Sequence, residues 1–201
     1  MRKGSKRFQD KVRANFFGTP LYLWTVNFVR LLDIPYYVFH DYDNLFIPEF
    51  AIEKKRCEYY ASENHKTCEE IKTSNIDADI YVLFQVTSPL RSYFQILNAI
   101  EDFYNNSDNF ECGFNAKKYE GYFIDSEGYE VNHFQSNRTD NGCKAESIYK
   151  ETGSFYIFNR SQLDKKHILD GCKRRIYEDP FNIDINYKED LERVEWILGQ
   201  K

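Results

Sequence analysis

The feature that most constrains the fold is an unbroken apolar run, Ile80–Phe84, near the middle of the sequence. A continuous apolar run is typical of a strand that is buried on both faces of a parallel sheet. A polar turn follows from Gln85 to Arg91, and apolar residues then recur at helical spacing from Tyr93 to Phe103. The succession of strand, turn and helix predicts an α/β fold. The turn then lies at the carboxyl end of a central strand, where such sheets bind ligands.

The side chains of this turn suit a polar ligand. Gln85 offers an amide, Thr87 and Ser88 offer hydroxyls, and Arg91 offers a guanidinium. The alternative is an ordinary strand-to-helix connection in which Ser88 acts as a cap before Pro89. The local residues leave both interpretations open.

Similar patterns predict the remaining elements. Thr19 is expected to cap a first helix that has Pro20 at its first helical position and extends to Asp33. Ser161 is expected to cap a short helix through Leu169. Further strands are predicted at residues 34–39, 110–115 and 154–158, two short strands around the turn at 125–128, and helices at 66–73 and 191–199.

Length and composition favour one folded domain over residues 1–201. Of these residues 42% are hydrophobic and 17% aromatic, which is enough for a core without disulfide or metal support. The polar span at about 117–150 is expected to form an arm or lid. No apolar run approaches the roughly 20 residues of a membrane span, and no hydrophobic signal core follows the N-terminus. We therefore expect a cytoplasmic protein without a membrane partner.

Charge and cysteine content argue against several further classes. The net charge of -5 argues against a nucleic-acid partner, because proteins that bind nucleic acids usually present a basic surface. The cysteines are odd in number and widely spaced, and they form no C-x-x-C pair, so we expect reduced thiols in or near the core. These cysteines are Cys57, Cys68, Cys112, Cys143 and Cys172.

Two other stretches suit charged ligands. Residues 1–11 carry five basic and one acidic side chain around Gly4 and Ser5, a composition that could cradle a phosphate. The alternative is a solvated basic tail. Asp184 is expected beyond the end of a strand, where a carboxylate can bind a hard cation such as magnesium. The alternative for Asp184 is a helix cap or a surface loop residue.

Five motifs, in one order along the chain, resemble those of the acylneuraminate cytidylyltransferases, which make CMP-activated sialic and related nonulosonic acids. R-K-G-S-K-R at residues 2–7, with Lys11, resembles the A-R-x-G-S-K-R/G loop with its following K-N. G-T-P-L at residues 18–21 resembles G-K-P-L, and Q-V-T-S-P-L-R at residues 85–91 is similar to Q-P-T-S-P-L-R. E-T-G-S-F-Y-I-F at residues 151–158 is similar to E-N-G-x-x-Y-I-F, and D-I-N-Y-K-E-D-L at residues 184–191 to D-I-D-T-P-E-D-L.

The resemblance implies a fold and a reaction. The fold is a Rossmann-like, three-layer α/β/α nucleotidyltransferase domain with a mostly parallel central sheet. In the reaction, the anomeric hydroxyl of an acidic sugar attacks the α-phosphorus of CTP, and pyrophosphate leaves. The implied partners are CTP, the acidic sugar and a second copy of the chain, because this family often dimerises through a protruding arm.

The same resemblance assigns site residues. Arg2 and Lys6 would hold the triphosphate, with Lys6 acting on the developing charge, and Ser5 and Lys11 would assist nearby. Magnesium would bind at Asp184 and Asn186. The nucleotide and sugar pocket would be lined by Gln85, Thr87 and Ser88, with Arg91 behind them, and by Arg56 near the cytosine, although Cys57 stands where the family has proline.

Some residues depart from the family pattern. Val12 stands where the family has asparagine, and Asn186 stands where the second aspartate of the D-I-D motif is expected. The family also places a central apolar strand ahead of the arginine that corresponds to Arg2. Two alternatives therefore stay open: a synthetase acting on 3-deoxy-manno-octulosonate or another acidic sugar, and a nucleotide-binding or assembly module without turnover.

Overall fold

A computed structural model describes residues 7–40, 67–132 and 145–199, together with residues 46 and 48 and the backbone of residues 52–55. The strands are β1 (Asn15–Phe16), β2 (Thr19–Pro20), β3 (Tyr37–His40), β4 (Ile52–Lys55), β5 (Ile80–Phe84), β6 (Cys112–Tyr119), β7 (Ile148–Asn159) and β8 (Arg174–Glu178). The α-helices are α1 (Leu21–Arg30), α2 (Thr67–Thr73), α3 (Tyr93–Asn105) and α4 (Lys188–Gly199). Short 3-10 helices cover Lys11–Arg13 and Arg160–Asp164.

The sheet is mixed. It has four strands in the order β5-β7-β6-β8, in which β7 is antiparallel to both neighbours and β6 is parallel to β8. A separate parallel pair joins β3 to β4. The predicted strand at residues 80–84 is confirmed, but the neighbour found for it among the described residues is antiparallel. An apolar run reports that both faces are covered and says nothing of the direction of the neighbour.

Helices cover both faces of this sheet, so the predicted three-layer α/β architecture is confirmed. On one face Tyr156 and Phe158 of β7 pack with Cys68 and Ile71 of α2. On the other face Phe155 and Ile157 of β7 pack with residues of α3, namely Ile96, Ala99 and Phe103. Because successive side chains of β7 point to opposite faces of the sheet, this strand contributes to two separate hydrophobic cores.

The first helix begins differently from the prediction. Thr19 pairs with Phe16 in a two-residue ladder, and Pro20 is the residue before the helix, with an extended ψ of 136°. Proline's fixed φ suits both an extended residue and a first helical residue, so the sequence did not separate these alternatives. The helix ends at Arg30, and Asp33 lies beyond it in the left-handed region at φ 52°.

Other boundaries also move. Ser161 lies inside the 3-10 helix Arg160–Asp164 and does not cap a helix through Leu169. The predicted strand at 34–39 becomes β3, because Ile34 is exposed and pairing starts at Tyr37. The predicted strand at 110–115 starts two residues later, as β6, and extends to Tyr119, and the predicted strand at 154–158 is part of the longer β7. The two short strands reduce to one antiparallel bridge, Ile124 to Glu130.

The cysteine prediction is wrong for one pair. Cys112 and Cys172 form a disulfide with a Cα–Cα distance of 6.2 Å across 60 residues of sequence. Cys112 begins β6 and Cys172 lies just before the parallel β8, so the sheet brings them together at one end. Cys68 is buried and free, as expected. Cys57 and Cys143 lie outside the described residues.

Within the described part of the chain, no helix has the length and apolar character needed to cross a membrane. The expected cytoplasmic location stays a prediction.

Candidate nucleotide site

Three distant segments meet beyond the carboxyl end of β5. The backbone N–H of Ile185 donates to the carbonyl oxygen of Thr87 at 2.7 Å, which joins the loop at 181–187 to the turn at 85–91. Lys11 Nζ donates to the carbonyl oxygen of Ile185 at 2.7 Å and lies 3.4 Å from Asn186 Oδ1. Ile185 itself is fully buried and packs against Leu21 and α4. The fold therefore brings together Lys11, Thr87, Asp184 and Asn186, all predicted from the sequence.

Asp184 has an oxygen that suits a cation. Its Oδ2 accepts a hydrogen bond from Asn186 Nδ2 at 2.7 Å. Its Oδ1 is buried, and no described residue donates a hydrogen bond to it. A carboxylate oxygen of this kind is a good ligand for Mg²⁺. Asn186 directs its amide nitrogen at Asp184 and its oxygen at Lys11. The described residues contain no group of three or more His, Cys, Asp or Glu side chains that could hold a metal.

Lys11 lies in this site with its charge partly shielded from water. Burial lowers the pKa of Lys11, and the nearby Asp184 carboxylate opposes this effect. The lysine therefore contributes positive charge beside the only carboxylate of the D-I-N motif. Arg2, Ser5, Lys6 and Arg56, which were also predicted here, lie outside the described residues.

The two hydroxyl residues of the turn have different surroundings. Thr87 is half-buried, whereas Ser88 is completely buried and its Oγ has no hydrogen-bond partner among the described residues. An unpaired buried hydroxyl is costly, so it favours a water or a ligand oxygen at this position. The prediction that Ser88 contacts the nucleotide or sugar remains a prediction.

Gln85 packs over a glycine that we did not single out from the sequence. The backbone N–H of Gln85 donates to the carbonyl oxygen of Ser154 at 3.2 Å. Gly153 has φ +73°, and a Cβ placed on it would lie 3.1 Å from Gln85 Oε1. Glycine therefore allows both the backbone turn and the close approach of the carboxamide. The E-T-G-S motif at 151–154 was the signal that could have identified Gly153.

Arg91 lies behind the turn, as the resemblance implied. The residue keeps some exposure, but its guanidinium makes four hydrogen bonds and lies 6.0 Å and 5.5 Å from the ring centroids of Phe28 and Phe84. Burial lowers the pKa of Arg91 to about 9, with the charge of Asp179 acting in the opposite direction. Arg91 is therefore still charged at neutral pH, and its hydrogen bonds hold the turn from inside the protein.

A tyrosine and a glutamate also border the site. Tyr156 Oη donates a hydrogen bond to Glu151 Oε1. Burial, this hydrogen bond and the charges of Glu151 and Asp184 all raise the pKa of Tyr156, so the phenol stays protonated. Sequence reasoning found these residues only as parts of the E-T-G-S-F-Y-I-F motif and assigned them no role.

Comparison with known families identifies the class of this protein. The family model described as Cytidylyltransferase matches residues 1–192. The chain belongs to the cytidylyltransferase family. A search of curated protein sequences finds no significant match.

Solved structures agree with this cytidylyltransferase fold. The structure of a CMP:2-keto-3-deoxy-manno-octonic acid synthetase complexed with CTP is 13% identical, with TM-score 0.69, covering 100% of this chain and 96% of the other. 4-Diphosphocytidyl-2C-methyl-D-erythritol synthase from Anaerococcus prevotii DSM 20548 is 15% identical, with TM-score 0.62 and coverage of 98% and 94%. HddC from Yersinia pseudotuberculosis is 13% identical, with TM-score 0.58 and coverage of 98% and 95%.

In this cytidylyltransferase, Val12 belongs to the core. It is buried against Tyr22 and Val26 of α1 and Val38 of β3. Val12 therefore supports the packing of the segment that presents Lys11.

Proposed function

We propose that this cytidylyltransferase moves CMP from CTP to the anomeric hydroxyl of an acidic sugar, a sialic or related nonulosonic acid, and releases pyrophosphate. The bond that forms joins the sugar oxygen to the α-phosphorus, and the bond that breaks joins this phosphorus to the bridging oxygen of pyrophosphate. The observation that carries the proposal is the meeting of Lys11, the turn at 85–91 and the unpartnered oxygen of Asp184.

Such a site can promote the reaction by position and charge. Nucleotidyl transfer needs aligned reactants and neutralised phosphate charge more than it needs a nucleophilic side chain. In this proposal Arg2 and Lys6 hold the triphosphate, with Ser5 and Lys11 beside them. The nucleotide and the sugar lie along Gln85, Thr87 and Ser88, and Arg56 approaches the cytosine.

The proposal includes a magnesium ion at Asp184, with Asn186 next to it. The buried, unpartnered Oδ1 of Asp184 has the chemistry that this ion prefers, and Lys11 and Asn186 orient the loop around it. When bound, the ion neutralises phosphate charge. The single carboxylate in the motif predicts weaker magnesium binding than a pair of carboxylates would give.

The first experiment is pyrophosphate release from CTP and Mg²⁺ in the presence of sialic, legionaminic, pseudaminic or octulosonic acid. Turnover with a nonulosonic acid alone would support the proposal and name the substrate. Turnover with the octulosonic acid alone would favour the first alternative, with which the fold shared with the octonic acid synthetase is compatible. CTP binding without turnover would favour the nucleotide-binding module. Asn186 supports that alternative, because it replaces the second aspartate of the D-I-D motif.

Asp184→Asn tests the metal site. The substitution removes the charge but keeps the shape, so we expect turnover to fall about 100-fold and the magnesium requirement to rise. Isothermal titration of Mg²⁺ in the presence of CTP measures the binding directly. The matched control is Asp164→Asn, which removes an exposed carboxylate paired with Lys72 at 2.5 Å. The metal assignment is wrong if both variants keep the magnesium dependence of the wild type.

The proposal also includes a homodimer formed through the predicted arm or lid at about 117–150, and we call its described segment 120–132 the arm. The arm exposes four large apolar side chains: Tyr122, Ile124, Tyr129 and Val131 are 44%, 63%, 67% and 55% exposed. Asn132 braces the arm, since its side chain bonds the backbone of Gly121, Phe123 and Glu146. Such a cluster favours contact with a second copy.

Light scattering at micromolar concentration tests this dimer. We expect twice the chain mass for the wild type and the mass of one chain for Ile124→Lys combined with Val131→Lys. The control is Phe94→Lys, which changes an exposed apolar residue on α3. A wild type of single-chain mass would remove the dimer from the proposal.

A further inference from the structure

A network of buried and half-buried hydrogen bonds begins at the turn that carries Gln85. Arg91 Nη2 donates to the carbonyl oxygens of Gln85 and Ser154, and Arg91 Nε donates to Ser154 Oγ at 3.1 Å. Arg91 Nη1 donates to Thr25 Oγ1 of α1 at 2.9 Å. One guanidinium therefore ties the turn at 85–91 to β7 and to α1.

The hydrogen-bond network continues from Ser154 across the sheet. The backbone N–H groups of Ser154 and Phe155 donate to Asn115 Oδ1 at 3.1 Å and 3.2 Å. Asn115 Nδ2 donates to Asp179 Oδ2 at 3.1 Å. Asp179 Oδ1 in turn accepts from the backbone N–H of Phe181 at 3.3 Å. Phe181 begins the loop at 181–187, so the hydrogen-bond network ends at the segment that carries Asp184.

The polar side chains of this network are costly to bury. Asn115 is 0% exposed, Ser154 1% and Asp179 7%. Polar groups in such a setting are stable only when each has its partner, and a fully paired network holds its members in one arrangement. Arg91 and Asp179 also place opposite charges inside the protein, and the charge of Asp179 favours the charged form of Arg91. The network therefore couples two loops both electrostatically and through hydrogen bonds.

We propose that Asn115 and Asp179 are positioning residues, which act through Ser154 and Arg91 to set the turn at 85–91 and the loop at 181–187 at the spacing that one nucleotide requires. This inference rests on the proposed function, because it assigns both loops to one ligand. The hydrogen bond from the Ile185 N–H to the Thr87 carbonyl oxygen, at 2.7 Å, joins the same two loops directly, so it depends on their spacing.

Asp179→Asn is the test. The carboxylate accepts hydrogen bonds at both oxygens, from Asn115 and from the backbone of Phe181 and Asn182, and an amide can accept at only one oxygen, so at least one link breaks and the buried charge is lost. The control is Asp102→Asn on α3. Asp102 also uses both oxygens, to bind Arg175 and Tyr177 of β8, but neither partner belongs to the site loops.

Amide hydrogen exchange gives a readout that does not depend on turnover. For Asp179→Asn we expect exchange at Ile185 and in the segment 85–91 to become about 10-fold faster, while amides in the centres of β5 and β7 keep their rates. Asp102→Asn should leave both loops unchanged. Ser154→Ala removes the bond to Arg91 Nε alone and should accelerate exchange in 85–91, and it replaces Asp179→Asn if that variant does not fold.

Kinetics tests the coupling to the site. We expect Asp179→Asn to lower kcat about 10- to 100-fold with KM for CTP changed less than about 3-fold, because misplacement by about 1 Å is felt mainly in the reaction step. In the Asp184→Asn background the same change should have little further effect. Unchanged exchange in the loops, or effects that multiply fully in the double variant, would overturn the inference. A wild type without turnover would instead overturn the proposed reaction, and the exchange rates would still decide the positioning role.

Discussion

At the scale of single residues, Gly153 is the tightest point of the site. Its φ of +73° lies in the region that favours glycine, and a Cβ on this residue would lie only 3.1 Å from Gln85 Oε1. The next residue, Ser154, accepts the backbone hydrogen bond of Gln85. One position without a side chain therefore lets two motifs that are far apart in sequence meet at contact distance.

Gly153→Ala should weaken CTP binding about 10-fold. The added methyl group displaces the Gln85 carboxamide, and the left-handed backbone costs about 1 kcal/mol of stability as well. The matched control is Gly171→Ala, where φ is +58° and nothing lies within 4 Å of the added Cβ. Both variants should lose similar stability by urea unfolding, but only Gly153→Ala should change the calorimetric Kd for CTP. Equal Kd values in the two variants would contradict the contact.

At the scale of elements, the first turn of α4 holds the loop that carries Asp184. Asp190 Oδ2 accepts hydrogen bonds from the backbone N–H groups of Asn186 and Tyr187, both at 2.8 Å. Amides ahead of a helix otherwise lack partners, so this carboxylate satisfies two of them. Leu191 and Val194 anchor the same helix in the core beside Ile185. The helix therefore positions Asp184 from its amino end.

Asp190→Ala should lower the free energy of unfolding by about 1 kcal/mol, because two backbone donors lose their acceptor. It should also raise the magnesium concentration needed for half-maximal turnover, since the loop before the helix is released. Glu189→Ala is the control, because Glu189 is an exposed acidic residue in the same turn. Thermal unfolding and a magnesium titration measure the two effects. The role of Asp190 fails if Glu189→Ala has the same effect on the magnesium titration.

At the scale of the whole molecule, one covalent link spans the second half of the sheet. The disulfide Cys112–Cys172 closes a 60-residue span that contains the arm, all of β7 and the 3-10 helix Arg160–Asp164. A cross-link of this kind stabilises mainly by restricting the unfolded chain. In a reducing compartment the same two thiols would stand in contact without the bond.

Cys172→Ser should lower the stability of the oxidised protein by about 4 kcal/mol, the value expected from loop closure over this span. Urea unfolding with and without a reductant measures the difference. The wild type under reductant is the matched comparison, and it should lose a similar amount. A wild type equally stable under both conditions would show that the disulfide does not form in solution.

Local pattern was sufficient for much of this protein. The apolar run at 80–84, the helical spacing at 93–103 and the polar turn between them predicted a strand, a helix and a loop at the site, and the structure has them. The motif at 184–191 predicted a loop leading into the last helix, which runs to Gly199. Periodicity reports which side chains are buried, and burial is a property that each segment expresses by itself.

Other features depended on partners distant in sequence. The antiparallel pairing of β7 with β5 and β6, the meeting of Cys112 with Cys172, and the bond from Lys11 to Ile185 each join segments that no local pattern relates. Val12 shows the same limit, because its burial depends on α1 and β3 packing over it. The sequence by itself determined the elements, their order and the family motifs. Only the tertiary structure decided which motifs share one site, because that choice is made by packing and hydrogen bonding between distant segments.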